Sequence, residues 1–251
     1  LAKRSSAEDA IGSHSQRIKH LSTAEIEPIS VELGLASSDH ILRWIRGGWH
    51  EEWARNNGAI SHGDAAGHER FLQEFKRALI TEVTFPSLSV GEGKEATIKL
   101  KIQPEEVAIE RGSQKRSQAE YPKKQKLLVT NQFRITLDGF DLSSVTKIDG
   151  LAIKQGVKML HTGLGTFPEI EPTKIEFPDI SCHMPLGDAD KVLAWADDVV
   201  HKGKKDPKAE RTGAIEFLSP DRRKVLLRVS LAQVGLRGVT VSKSDPKSTD
   251  V

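Results

Sequence analysis

Between Gly213 and Leu231 apolar and polar residues alternate on both sides of a turn, a pattern that admits little besides a β-hairpin. Leu227, Val229 and Leu231 alternate with Arg228 and Ser230. Side chains two apart share one face of a strand, so this is a half-buried antiparallel strand. Ser219-Pro220-Asp221-Arg222 supplies the turn, because Pro presets φ and Asp bonds nearby backbone. Upstream, Ile175 and Phe177 share a face of an extended run, as do Ile180, Cys182 and Met184 beyond Pro178. Between these runs and the hairpin the spacing predicts a helix. Asp188 is its expected cap. Val192, Trp195, Ala196 and Val199 form its apolar stripe, and Gly203 lies just past its end.

The same periods organise the rest of the chain. Residues 1–40 are polar, with a helical hint at Ile18 and Leu21, and read as a mobile arm or as one that docks on a neighbouring subunit. SVELGLA (30–36) is apolar enough to add a strand to an open sheet edge. Ile41, Ile45, Trp49 and Trp53 are spaced by four, with Trp44 beside them, and predict a Trp-rich helix. Its burial is against the core or against another subunit, since Trp brings a large apolar area to either. A second helix is expected from Ala65 to about Arg77, with Phe71, Leu72, Phe75, Ala78 and Leu79 on one face and Asp64 as its cap. A hairpin follows, with Leu79, Thr81, Val83 and Phe85 facing one way and Ile98, Leu100 and Ile102 alternating with lysines, joined by the loop SLSVGEGKE. Residues 105–126 read as a solvated polar loop. Phe133, Ile135 and Leu137 make a strand ending at Asp138-Gly139. Val145, Ile148, Leu151 and Ile153 make another strand region, and 156–168 a loop. The segment after Leu236 reads as an exposed tail.

Charge and composition remove several function classes. The 37 basic and 35 acidic residues nearly cancel, which is not the basic excess of a dedicated nucleic-acid binder. The basic cluster Lys115, Arg116, Lys123, Lys124 and Lys126 has only Tyr121 interleaved, so base stacking is poorly served. Nucleic acid enters the expectation only as passing cargo. No apolar run reaches the length of a membrane-spanning helix, so no membrane insertion is expected. The opening residues lack the apolar core of a signal peptide, which reads as synthesis in the cytoplasm. The first residue is Leu rather than Met, so the native start is left open.

Candidate chemistry is sparse. His50, His62, Asp64 and His68 are metal-competent side chains, yet their spacing matches no tight metal motif, and a metal-dependent hydrolase is only a minor alternative. Ser181-Cys182-His183 sets a thiol beside a histidine, but strand neighbours point to opposite faces. GLG (163–165) lacks the continuation of a dinucleotide fingerprint. No catalytic, cofactor or metal residue is assigned. The one cysteine excludes an intrachain disulfide.

Five pieces occur in an order that resembles the tail tube proteins of contractile phages and phage-derived contractile injection systems. They are NQFRITLDGF (131–140), VTKIDGLAIKQ (145–155), PTKIEFPDI (172–180), the Trp195 helix with DDVVHKG, and RTGAIEFLSPDRRKVLLRVSLAQVGL (211–236). RALITEVTFPSL (77–88) is similar to tube-type members as well. The resemblance runs from Phe71 to Leu236, about two thirds of the chain and an ordinary domain size. It departs from the family in lacking the longer charged insertion often found between the middle strands. The resemblance implies a mainly β fold with flanking helices, an antiparallel β-sandwich or barrel of the tail tube type with a helical N-terminal extension. The corresponding segments are 1–60 (extension), 61–240 (tube-like domain) and 241–251 (tail). It also implies a non-enzymatic subunit that forms sixfold rings stacked into an inner tube, with itself and sheath, cap or baseplate proteins as partners. A tube-end adaptor or cap, or a baseplate protein, with the same fold is the alternative. Expected interface residues are Trp44, Trp49 and Trp53, with Val83, Phe85, Ile98, Leu100 and Ile102 from the hairpin that would join the channel wall.

Overall fold

The computed structural model describes residues 2–10, 17–34, 39–115, 128–161, 167–201 and 211–241. Expectations for Gly203, the GLG at 163–165, Tyr121, Arg116, Lys123, Lys124, Lys126 and the last ten residues fall outside them. In chain order the strands begin with β1 (Ala2–Ala10), β2 (Arg17–Ile26) and β3 (Ile29–Gly34), followed by helix α1 (Asp39–Trp49). Next come β4 (Asn56–Gly63), β5 (Glu69–Phe85), β6 (Leu88–Ser89), β7 (Thr97–Gln103) and β8 (Glu106–Arg111). The middle of the chain gives β9 (Phe133–Leu137), β10 (Lys147–Ile148), β11 (Leu151–Leu160), β12 (Glu169–Glu176) and β13 (Cys182–His183). Helix α2 (Asp190–Ala196) continues into a π turn (Asp197–His201), and β14 (Arg211–Leu218) and β15 (Val225–Val234) close the series. The fold is mainly β, and every strand pair among the described residues is antiparallel. No sheet closes on itself among them, so the barrel half of the expectation gives way to open sheets.

The chain forms two compact units, each assembled from separated segments. Unit 1 comprises Leu1–Phe85, Thr97–Gln125 and Leu151–Asp179. Its sheet runs β12-β11-β5-β7-β3, with β4 and β8 pairing the first half of β5. Register explains its core. Val31, Leu100, Val83 and Ile153 lie opposite one another across four strands, and Leu100, Val83 and Ile153 are buried. One residue along, Glu32, Lys99, Thr84 and Ala152 form the next row, on the opposite face because strand side chains alternate. Helix α1 packs on β5 over the apolar face. Each such buried aliphatic contributes on the order of 1.5–3 kcal/mol relative to exposure.

Several sequence expectations are overturned here. The helix expected at Ala65–Arg77 is strand β5. Its Phe71/Phe75 spacing mimics a helical stripe, but β4 and β8 flank this segment and satisfy its backbone on both sides. Phe75 fills the space over Gly58, where an added Cβ would lie 2.3 Å from the ring. Ile18 and Leu21 lie in a strand, not a helix. SVELGLA does take a sheet edge, that of β7 in its own chain, through Ile29–Gly34. Glu106–Arg111 is a strand rather than a loop, held by backbone pairing with β5 rather than by apolar burial. The loop expected from 156 is still β11 as far as Leu160. Helix α1 ends at Trp49, so Trp53 leaves the stripe. Glu51 adopts φ 60, and the Glu52 and Glu51 N–H groups donate to the Gly47 and Gly48 carbonyls at 2.9 and 3.2 Å. This paired capping closes a helix end.

Unit 2 comprises Pro86–Ala96, Lys126–Gly150 and Ile180–Val251. The connection SLSVGEGKE is therefore more than a loop, because Leu88–Ser89 pairs with Lys147–Ile148. The expected hairpin is present as β14 and β15, with β9 on the other side of β14. Its apolar face stacks Phe133, Phe217 and Leu227 in one cross-strand row, then Ile135, Ile215 and Val229. Asp138-Gly139 turns as expected, with Gly139 at φ +83. In α2 the cap is Ala189, with no side-chain bond, because Asp188 is absorbed into the short 3-10 turn Leu186–Asp188. Trp195 packs against Phe140 with ring centroids 4.9 Å apart.

Candidate functional site

The eight expected interface residues divide into two groups. Val83, Phe85, Ile98, Leu100 and Ile102 are buried within unit 1, none more than 7% exposed. Their side chains face the subunit's own core, so a partner that pairs with this sheet would meet its opposite face or its open edges. The three tryptophans are half-buried beneath and beside α1. Trp44 donates from Nε1 to the Ala54 carbonyl at 2.9 Å, and Trp49 meets Phe85 at 6.2 Å between centroids. With Ile45, Leu79, Val83 and Ile153 they enclose a cavity of about 20 Å³. That is the scale of one water molecule, not of a substrate. Trp53 and Gln155 line this cavity, and Trp53 Nε1 and Gln155 Oε1 have no hydrogen-bond partner among the described residues.

The histidine-bearing segment is strand β4, which holds His62, followed by the turn from Asp64 to His68. Asp64 Oδ1 accepts from the Ala66 N–H at 3.0 Å and the His68 N–H at 2.9 Å, and Oδ2 accepts from Arg70 Nε at 2.9 Å. Asp64 thus caps a turn rather than the helix expected after it. The His68 N–H foremost, then Arg70 and the Ala66 N–H, hold its carboxyl down at about 2. His62 lies flat on Phe71 at 4.1 Å between centroids. Among the described residues no group of three or more His, Cys, Asp or Glu side chains is placed to hold a metal ion.

In unit 2, His183 bonds Asp149 at 3.2 Å, and Lys147 reaches the same carboxylate at 2.8 Å. Cys182 is exposed as a residue, yet desolvation around its sulfur first, and the Asp149 charge second, push the thiol up to about 11. A thiol held that high is protonated at neutral pH and is a poor nucleophile.

Two buried carboxylates were not legible as sites in the sequence. Glu105, its side chain 4% exposed, bonds Arg55 Nε at 3.1 Å and pairs with Arg77 through its other oxygen. Its Oε1 also accepts from the Ile170 N–H at 3.1 Å, while Arg55 donates to the Ile170 carbonyl at 2.6 Å. Glu216, 8% exposed, bonds Arg134 at 2.6 Å with Arg228 at 3.7 Å on the other side. Only the pairing register reveals the second set, because Arg134, Glu216 and Arg228 are direct cross-strand partners.

The cavity beside α1 is too small for a substrate, and both sheets present open edges. The outer strands β3 and β12 of the large sheet each have one strand partner among the described residues, as do β9 and β15 of the small one. No helix among the described residues is long and apolar enough to cross a membrane. No protein-family model matches the chain, and no curated protein matches it at a significant level.

Proposed function

We propose that the chain is a structural, non-enzymatic subunit that self-assembles through strand edges into rings, the rings stacking into a hollow tube of the phage-tail kind. The observation that carries this reading is the open antiparallel sheet of unit 1, which ends in β3 on one side and β12 on the other. An unpaired edge offers a row of backbone donors and acceptors and pairs indiscriminately unless it is managed. Joining β3 of one copy to β12 of the next repeats one heterologous contact, and such a contact closes into a ring when its rotation permits. Helix α1 already packs on the middle strand β5, so pairing at the edges leaves that packing of each subunit intact. Sheath, cap or baseplate proteins would be the further partners of such an assembly, made in the cytoplasm and built into a phage-tail-like particle.

Negative-stain electron microscopy of the purified chain over a concentration series tests this. Rings or tubes of uniform diameter are expected, and averaging them gives the symmetry. Dispersed particles of single-subunit size at every concentration would remove the tube reading and leave a tube-end adaptor or baseplate role, to be sought by co-purification.

A further inference from the structure

We infer that strand β15 pairs with β15 of a second copy across a two-fold axis, joining the small sheets of two subunits into one of six strands. This contact does not rest on the ring reading. It lies in unit 2, it is isologous, and it closes after two copies. Three observations carry it.

The first is an edge that, between the irregularities near its two ends, carries little protection. β15 has ten residues with a single charge, Arg228, and neither Pro nor Gly. β14 is its only strand partner among the described residues. The edge strand β12, by contrast, carries Pro172 and the charges Glu169, Glu171, Lys174 and Glu176. Charges and proline are what keep edges from pairing with the wrong partner, so β12 admits a matched partner whereas β15 admits a copy of itself.

The second is an apolar face that fades towards this edge. Ile215 and Phe217 of β14 are 4% and 2% exposed, whereas Leu227, Val229 and Leu231 beside them are only half-buried. Val225 is 45% exposed. A strand added outside β15 would continue the rows Phe133–Phe217–Leu227 and Ile135–Ile215–Val229 and cover what is left open.

The third is that one register is favoured by charge. In a pair centred on Val229, Leu227 lies opposite the second copy's Leu231, and Arg228 lies opposite its Ser230. Centring on Arg228 would set two arginines directly opposite each other, which is destabilising. Centring nearer the end meets the irregularity of β15, where Gln233 has φ 55 and the pairing with β14 shifts.

The test is a thiol introduced at the axis. In a Cys182→Ser background, Val229→Cys places that thiol opposite its own copy. Antiparallel partners lie about 4.5–5.5 Å apart between Cα atoms, within the roughly 4.4–6.8 Å that a disulfide spans. Mild oxidation should convert most of the Val229→Cys chain to a linked dimer, while Ser143→Cys, on an exposed loop, should stay unlinked. Sedimentation of the unmodified chain should give twice the subunit mass as the smallest closed species. Ser230→Lys, which faces away from the apolar rows and meets Arg228 of the second copy, should return it to one subunit with an unchanged circular dichroism spectrum. Linkage of the Val229→Cys variant no greater than that of the Ser143→Cys variant, or a Ser230→Lys protein that dimerises like the parent, would overturn the inference. Tubes whose Val229→Cys subunits fail to link would keep the ring reading and remove this one. Linked dimers without tubes would do the reverse.

Discussion

Glu105 and Glu216 each lie buried between two arginines, one in each compact unit, and the structure uses the same chemistry in two different ways. Glu105 stands where backbone pairing is irregular. Here β5 exchanges the partners β4 and β8 for β7 and β11, Arg77 takes φ 52, and the register slips. The carboxylate ties this junction to β12 through the Ile170 N–H and to the start of β4 through Arg55. Glu216 stands in the stretch from Gly213 to Phe217, which pairs without a shift on both sides, one residue short of the slip between Phe217 and Leu218. A buried ion pair is thus weak evidence of stabilisation by itself. What matters is whether the ladder around it already specifies the geometry.

The largest effect should come from breaking the junction. Glu105→Ala removes the acceptor of two arginines and a buried backbone N–H, and should cost about 3–5 kcal/mol in urea unfolding, the range for a buried pair stripped of one partner. Hydrogen exchange should localise the damage, with the Ile170 amide losing protection first. Equal loss of protection throughout unit 1, with no early release of Ile170, would mean that Glu105 is not the clasp of this junction.

Glu216→Ala should cost less, about 1–3 kcal/mol, the range for leaving buried polar groups unsatisfied. The sharper comparison is Glu216→Leu. Arg134 and Arg228 are more than half exposed and can turn to water, so an apolar residue of similar size should restore most of the loss, as buried ion pairs often tolerate. Glu105→Leu should restore little, because the Ile170 N–H would still lack an acceptor. If leucine rescues both positions equally, the distinction between junction and ladder fails.

What the sequence made legible follows the same division. The β14–β15 hairpin and β9 could be read directly, because alternation of period two and strong turn residues report local, regular pairing. The apolar side of β7 and the Val83 and Phe85 positions of β5 were legible for the same reason, but the slip between Ile80 and Glu82 sets Ile80, not Leu79 or Thr81, opposite Ile102. The first half of β5 was not, because Phe71, Leu72 and Phe75 satisfy a helical period and only the non-local partners β4 and β8 decide for strand. β8 was hidden by its polarity, since Glu106 and Glu110 sit on a strand held mainly by backbone bonds. The end of α1 was misplaced because Glu51, not a glycine, takes the left-handed position. Neither carboxylate cluster could be found from spacing, because strand register brings the Glu216 set together and long-range side-chain contacts across a pairing junction bring the Glu105 set together.

Asp64 extends the comparison to a carboxylate that is gripped but only half-buried. Its bonds to the His68 and Ala66 N–H groups and to Arg70 match those of Glu105 in number, yet water reaches the site and screens it, so the effect on stability should be the smallest of the three. It is best seen as a function of pH. The folded carboxyl is lowered from 3.8 to about 2, so the turn's contribution is fully present above the ordinary value and is lost as pH falls through the folded one. Between those limits the His68 amide should gain exchange and the Asp64 carboxyl carbon should titrate with a midpoint at about 2. Asp64→Asn keeps an Oδ1 acceptor for the two N–H groups but carries no charge. It should preserve the turn at neutral pH and abolish the acid step in His68 protection. A carboxyl titrating at its ordinary value would show that the turn does not hold the charged form, and that burial rather than bonding geometry sets Glu105 and Glu216 apart from it.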